Sequence, residues 1–481
     1  MIEEIIKKAK SENKKVYVYA HKFPDGDAIA SSSALAEYLR SQGIDARYVV
    51  TKENKAYNQI VGSVTPTQTV SKEQISIILD TSTVSYAENK LFMSSKKEDI
   101  YVIDHHGKTK DTVCIEDELG LSNENVIRES NASSTCEILA GKLGKISPQI
   151  ANMLTLGLLT DTAKLKFLKS DTLQNLIKLL EQGADYQEIS VLCNRKSRLR
   201  DEVGLAKLFL GTTRFPIGDT FGMLMPVNNS QVKELSSEYG IRNPQKKIFK
   251  MADIENCSFN CMIAENMSGI YDLEFRSTAI YGNFDVLKLA TMHRGGGHYN
   301  ASGCTIRQSE ENSIESISKE LQGQVADMYS KQGTNLPTIQ LTKQDRELTR
   351  ILDRTSRLTK GVTPEVLRQV DGIIAQGGNY DYTFKTLRTF ERFMLENEIL
   401  SRVSKDKLFD RVPSVNIVLS SQDVNTLKQK YNASESDILN AIRVFSNISI
   451  ERATITLPDG KKSQIDRNGN IKEEKVEQFT R

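Results

Sequence analysis

Apolar positions in the first part of the chain come as short unbroken runs separated by mixed stretches. VYVYA (16–20), ARYVV (46–50), ISIIL (75–79) and IYVI (100–103) are β-rich. Continuous rather than alternating apolarity marks strands buried on both faces, as in a parallel sheet. Between them, AIASSSALAEYLRSQG (28–43) has helical spacing and can stop at Gly43. SPQIANMLTLGLLTDTA (147–163) opens with a Ser cap followed by Pro, a good helix start. The N-terminus alternates charge with Ile2, Ile5 and Ile6, which suits an amphipathic helix. This alternation of strand and helix predicts a doubly wound α/β domain with a parallel sheet over 1–195.

The pattern changes at 196–216, where KSRLRDEVGLAKLFLGTTRF reads as a charged connecting helix. FGMLMPV (221–227), CMIAEN (261–266) and YDLEFRSTAI (271–280) are strand-like, and a Gly-rich turn and a polar helix follow. They define a second, smaller α/β domain over 217–330. KQGTNLPT (331–338) reads as a linker. Residues 339–481 form a mainly helical C-terminal extension, interrupted at Gly377-Gly378. Leu387, Phe390, Phe393 and Met394 lie at the spacing of a helix core face. Asp459-Gly460 and Asn468-Gly469 signal a terminal β-hairpin. The sequence displays no internal repeat.

A length of 481 residues exceeds what one core organises, in line with several domains. The net charge of +2 excludes a uniformly basic nucleic-acid coat but not a local basic groove. No apolar run approaches the ~18–20 residues of a membrane span. The N-terminus has no uninterrupted apolar signal core, so a cytoplasmic location and no membrane partner are expected. Six scattered cysteines exclude a disulfide scaffold, and Cys257 and Cys261 read as buried thiols rather than zinc ligands.

The five histidines all fall within three short segments that look chemical on other grounds. His21, Asp25 and Asp27 follow the run VYVYA, Asp80 ends ISIIL, and Asp104-His105-His106 ends IYVI. Asp161 lies in LLTDT and reads as a fourth such strand end. In an open parallel sheet the ligand crevice lies beyond the carboxyl ends of the strands, where these groups can converge. Four of these Asp with two of the His are an oxygen-rich set suited to Mn²⁺ or Mg²⁺. So many carboxylates repel one another without cations between them, and paired divalent ions are built for phosphoryl chemistry. A second candidate is Arg294-Gly295-Gly296-Gly297-His298. Its glycines let backbone N–H groups approach an anion, with Arg294, His298 and Arg276 as further donors.

HKFPDGDAIAS, ILDTS, VIDHHG and LLTDT resemble the four motifs of the DHH phosphoesterase family. RGGGHYNASG resembles the signature of the DHH-associated C-terminal domain. The resemblance covers about residues 1–330 and leaves 339–481 unassigned. It implies two divalent cations, Mn²⁺ or Mg²⁺, one held by His21, Asp25 and Asp80. Asp27, Asp80, His105 and Asp161 would hold the other, with Asp80 bridging. It makes His106 a charge stabiliser at the scissile phosphate and Asp104 the group that orients an imidazole. It places Asn131 and Ser134 near substrate, and Arg276, Gly296, Gly297 and His298 in a substrate-gripping domain. Ala163 departs from the family, standing where many relatives have Gly.

The expected activity is hydrolysis of short oligonucleotides or nucleotide phosphates: nanoRNA, linear dinucleotides or 3′-phosphoadenosine-5′-phosphate. A hydroxide between the two cations would attack phosphorus directly. The alternatives are an exonuclease on longer single strands and a non-catalytic nucleotide sensor with the C-terminal region as output. RNA or DNA oligonucleotides or nucleotides are thus the expected partners. A homodimer is compatible with the sequence, and the partner of the C-terminal region is unknown.

Overall fold

The unbroken apolar runs form the strands β1 (Lys15–Tyr19), β2 (Ala46–Val49), β3 (Gln74–Leu79) and β4 (Ile100–Asp104), joined by β5 (Val126–Arg128). They make one sheet in the order β2-β1-β3-β4-β5, with every pairing parallel. β3 is buried at all its positions, which is why its sequence shows no alternation. The computed structural model describes the chain apart from residues 51–56, 63–69, 71–72, 88–89, 108–112, 170, 194–195, 252–253, 278–283, 308–312, 333–341, 386–387 and 475–481. Most of the expected linker at 331–338, Leu387 and the last seven residues therefore lie outside the described residues.

The chain divides into two units, Met1–Asn194 with Leu341–Phe384, and Arg195–Gln340 with Lys385–Arg481. Among the described residues, the longer helices of the first unit are α1 (Ile2–Ser11), α2 (Gly26–Ser41), α3 (Thr135–Lys142), α4 (Pro148–Asp161), α5 (Thr172–Glu181) and α6 (Tyr186–Cys193). From the C-terminal stretch the unit adds α7 (Lys343–Arg354), α8 (Pro364–Ala375) and most of α9 (Tyr380–Lys385). The expected cap at the start of α4 is present, Ser147 Oγ accepting from the Ile150 N–H at 3.3 Å. α4 runs through to Asp161, so this aspartate closes a helix and does not follow a strand. Its apolar residues recur at helical spacing behind the Ser-Pro start, which decides the element.

The chain turns in the same way after α4 and after α7. Thr162 and Thr355 each return their hydroxyl to the carbonyl four residues back, Leu158 and Ile351, at 2.7 Å. Each hydroxyl also accepts from a following amide, Leu165 at 3.0 Å and Leu358 at 3.1 Å. Ala163, Lys164 and Leu165 all have positive φ, as do Ser356, Arg357 and Leu358. Left-handed backbone costs a non-glycine residue roughly 1–2 kcal/mol, so each turn needs support from its surroundings.

The second unit contains a six-stranded mixed sheet, in the order Gly296–His298, Ala301–Arg307, Ile270–Ser277, Cys257–Met267, Thr220–Val227, Thr213–Ile217. Cys257 and Cys261 are buried thiols on one of its strands. One face of the sheet packs Leu224, Phe259, Phe275 and Leu273 against Ile317, Leu321 and Val325 of the helix Ile314–Gln332. The other places Met223, Met225 and Met262 in one core with Phe393, Ile399, Ile417 and Ile455 from the C-terminal stretch. That stretch has its own four-stranded sheet. The expected hairpins at Asp459-Gly460 and Asn468-Gly469 join Arg452–Thr456, Lys462–Asp466 and Ile471–Glu474. Ser414–Val418 adds a parallel edge strand that the sequence reading did not include.

Candidate metal centre

The strand order reverses between β1 and β3, and the candidate groups gather at the carboxyl ends on this switch point. His21 lies just past β1. Asp25 caps α2, accepting from the N–H groups of Asp27 and Ala28 at 3.0 and 3.1 Å. Asp80 follows β3 in a left-handed conformation with φ 52°. Asp104 ends β4, with His105 and His106 next to it, and Asp161 arrives from the end of α4.

These side chains converge. His21 Nε2 lies 3.9 Å from Asp25 Oδ1 and 3.7 Å from Asp80 Oδ2. His105 Nε2 lies 3.3 Å from both Asp80 Oδ1 and Asp161 Oδ2. Ligand atoms of His21, Asp25 and Asp80 fall within 4.8 Å of one another, as do those of Asp27, His105 and Asp161 and those of Asp80, His105 and His106. Asp80 thus belongs to two of the groups. Burial raises the Asp161 carboxyl to about 6, and the charges of Asp80 and Asp25 push the same way. Asp27 is wholly buried, and it too is driven well above the usual carboxylate range by burial and then by Asp80 and Asp161. A mutually repelling set of carboxylate and imidazole donors fits hard divalent cations, which remove that penalty.

Asp104 stands behind this group. Its Oδ1 is 2.7 Å from His106 Nδ1, and its Oδ2 accepts from Arg128 Nη1 at 2.5 Å. Burial alone would raise the Asp104 carboxyl, but the His106 hydrogen bond and charge, with that of Arg128, bring it below the usual value. The lowered carboxyl favours the pairing in which His106 Nδ1 donates and Asp104 accepts. The Asp104 hydrogen bond in turn raises the His106 pKa.

Sequence reading missed several supports of the cluster. Arg128 also donates to both Glu116 oxygens, at 2.7 and 2.6 Å, and to the His106 carbonyl at 2.8 Å. Its strand VIR is only three residues long, too short to register as an apolar run. Thr135 Oγ1 donates to Asp80 at 3.2 Å, and the Thr135 and Cys136 N–H groups donate to the two Asp27 oxygens at 2.7 and 2.9 Å. Gly157 makes room for this: a Cβ there would lie 2.2 Å from Cys136 Sγ and 2.7 Å from Asp27 Oδ1.

Ser134 is buried and caps α3, its Oγ accepting from the Glu137 N–H at 3.0 Å, while Asn131 is exposed in the preceding turn. Arg276, Arg294 and the glycines belong to the second unit. Arg276 Nη1 donates to Glu274 at 3.1 Å and to the Phe275 carbonyl at 2.7 Å. Gly295 and Gly297 sit against the neighbouring strand, where a Cβ would come within 2.2 Å of the Gly303 carbonyl oxygen and 2.6 Å of that of Ala301. Gly296 has open space at its Cβ position, and the His298 backbone pairs with Ala301. His293, Arg294, Gly295, Cys304 and Arg307 line a cleft of about 520 Å³.

Residues 15–158 match the model of the DHH family, N-terminal domain. No curated protein sequence matches the chain. Among solved structures it is similar to an exopolyphosphatase-related protein from Bacteroides fragilis, with 20% identity, a TM-score of 0.46, and coverage of 68% of this chain and 98% of that one. It is also similar to the pGpG-specific phosphodiesterase PggH from Vibrio cholerae, with 14% identity, a TM-score of 0.34, and coverage of 65% and 99%. RecJ from Thermus thermophilus, solved in complex with Mn²⁺, gives 14% identity, a TM-score of 0.33, and coverage of 76% and 59%.

Proposed function

We propose that the protein is a two-metal phosphoesterase that hydrolyses short oligonucleotides or nucleotide phosphates. The observation that carries this reading is the convergence of His21, Asp25, Asp27, Asp80, His105 and Asp161 at the strand-order switch of a DHH-family domain. His21, Asp25 and Asp80 hold one cation, and Asp27, Asp80, His105 and Asp161 the other, with Mn²⁺ the first choice. Divalent cations bound there supply Lewis-acid stabilisation of phosphoryl oxygens and acidify water. With Nδ1 engaged by Asp104, His106 presents Nε2 to a phosphoryl oxygen as a charge stabiliser. The Arg294–His298 loop and Arg276 serve substrate binding.

The rim of the cluster favours nucleotides over bare phosphates. Phe23 is 70% exposed only two residues from His21. Tyr86 stacks on the His21 ring at 5.0 Å, and Lys22 Nζ lies 5.5 and 5.7 Å from the Phe23 and Tyr86 centroids. An exposed ring beside a cation is a stacking platform for a base, worth roughly 1–3 kcal/mol.

The test is a Mn²⁺-supplemented hydrolysis panel on RNA dimers and trimers, a strand of roughly 20 nucleotides that separates short from long substrates, 3′-phosphoadenosine-5′-phosphate and pyrophosphate. Asp80→Asn is the control. Rapid turnover of dimers that Asp80→Asn abolishes is expected. Preference for the long strand would instead make it an exonuclease, and silence across the panel would sink the hydrolase reading. Phe23→Ala should raise KM for dimers about fivefold or more and leave pyrophosphate unchanged.

A further inference from the structure

The two matching turns are cross-braced. Tyr380, from α9, donates its hydroxyl to the Leu165 carbonyl in the turn after α4 at 2.9 Å. Tyr186, from α6, donates its hydroxyl to the Leu358 carbonyl in the turn after α7 at 2.5 Å. Leu165 and Leu358 are both wholly buried, as nearly are both tyrosines. Ser190 adds a hydrogen bond to the Thr359 carbonyl at 3.0 Å. The α4–α6 half and the α7–α9 half of this arrangement therefore each supply a strained turn and the tyrosine that holds the other's turn.

The halves differ in one position that bears on chemistry. The residue before Thr162 is Asp161, whereas the residue before Thr355 is Arg354, which donates to Gln369 at 3.0 Å. Only the first turn is attached to the acidic cluster. Its backbone returns to the end of α4 through Ala163 N–H to the Thr160 carbonyl at 3.2 Å and Lys164 N–H to the Leu159 carbonyl at 2.7 Å. The direction of the Asp161 carboxylate thus depends on a turn of three left-handed, non-glycine residues. Such conformations persist only where the surroundings over-determine them, and Tyr380 supplies a hydrogen bond to the buried carbonyl at the turn's end.

We propose that the segment carrying α7 to α9 is a built-in brace for the metal centre, and that Tyr380 is a positioning residue for Asp161. This rests on the reading of Asp161 as a metal ligand, and Tyr186 provides a matched control. Tyr380→Phe and Tyr186→Phe each remove one hydroxyl from an equivalent buried bond, but only the first touches the turn that carries Asp161.

The experiment uses the full chain and two readouts besides activity: amide hydrogen exchange of the metal-free protein, and Mn²⁺ affinity from the electron paramagnetic resonance of free ion. Tyr380→Phe should speed exchange at residues 163–167 and weaken Mn²⁺ binding about 3- to 10-fold, the range of one lost hydrogen bond. Tyr186→Phe should speed exchange at 356–360 and leave Mn²⁺ affinity at the wild-type value. Equal loss of affinity in both variants would reduce the effect to general loosening and overturn the proposal. Unchanged exchange at 163–167 in Tyr380→Phe would also overturn it. Failure of the wild-type protein to bind Mn²⁺ would remove Asp161's role as a ligand and with it the positioning claim, whereas lack of turnover with Mn²⁺ bound would strike only the proposed function.

Discussion

His106 shows how a single side chain is tuned by residues that never touch the acidic cluster's centre. Glu116 holds Arg128, Arg128 holds Asp104, and Asp104 holds His106 Nδ1. Because the largest cause of the raised His106 pKa is the Asp104 hydrogen bond, the charged imidazole persists to higher pH than an ordinary one. Its contribution to stability is complete below the unfolded value of about 6.5 and is lost as pH rises through the higher folded value. An NMR titration of His106 in metal-free protein should place its midpoint above about 6.5, and Asp104→Asn should move it down. An unmoved midpoint would detach Asp104 from this role. Gly157 is a steric counterpart. Gly157→Ala drives a methyl into Cys136 and the Asp27 carboxylate, so a loss of about 1–3 kcal/mol in urea unfolding is expected. At this scale His21, Asp80, His105 and His106 were legible, because polar groups directly after unbroken apolar runs stand out. Arg128 and Thr135 were not, since an arginine after a three-residue strand and a threonine beside a helix cap carry no signal of the partner they reach.

The elements that were legible are those with a strong local pattern: β1 to β4, the Ser-Pro start of α4 and the two terminal hairpin turns. The paired turns after α4 and α7 were hidden. Ala-Lys-Leu and Ser-Arg-Leu contain no Gly or Asn, the residues that usually announce left-handed backbone, and the preceding threonines are individually unremarkable. Asp161 was expected after a strand and instead ends a helix, yet it still reaches the cluster, because α4 delivers its last residue to the carboxyl edge of the sheet. α3 acts in the same way from its other end. Its first N–H groups hold Asp27, where the partial positive charge of a helix N-terminus favours a carboxylate. Ser134 closes that end, so Ser134→Ala should lower stability by about 1 kcal/mol in thermal melts. If Ser134 served only substrate, KM would change and the melting temperature would not.

Over the whole molecule, the C-terminal stretch is not a single appendage. Leu341–Phe384 is part of the first unit, and Lys385–Arg481 is part of the second. No periodicity in the sequence could reveal this, because a helix face shows that it is buried without showing which partner buries it. In the second unit Phe393 packs on Phe209 with ring centroids 5.4 Å apart, and Phe390 meets Phe221 at 6.0 Å. Met223, Met225, Val227 and Met262 share that core. Fully burying a side chain of this size contributes roughly 1.5–3 kcal/mol, and a folded domain is usually stable by only about 5–15 kcal/mol. Truncation after residue 384 uncovers all of these side chains together, a loss comparable with the whole stability of a domain. The expected outcome is that residues 199–264 lose slow hydrogen exchange and become open to limited proteolysis, while β1 to β5 keep theirs. Retained protection at 199–264 would show the Lys385–Arg481 portion to be separable. If protection is lost as expected, point substitutions such as Tyr380→Phe, not deletions, are the sound way to ask what the C-terminal stretch does for the metal centre.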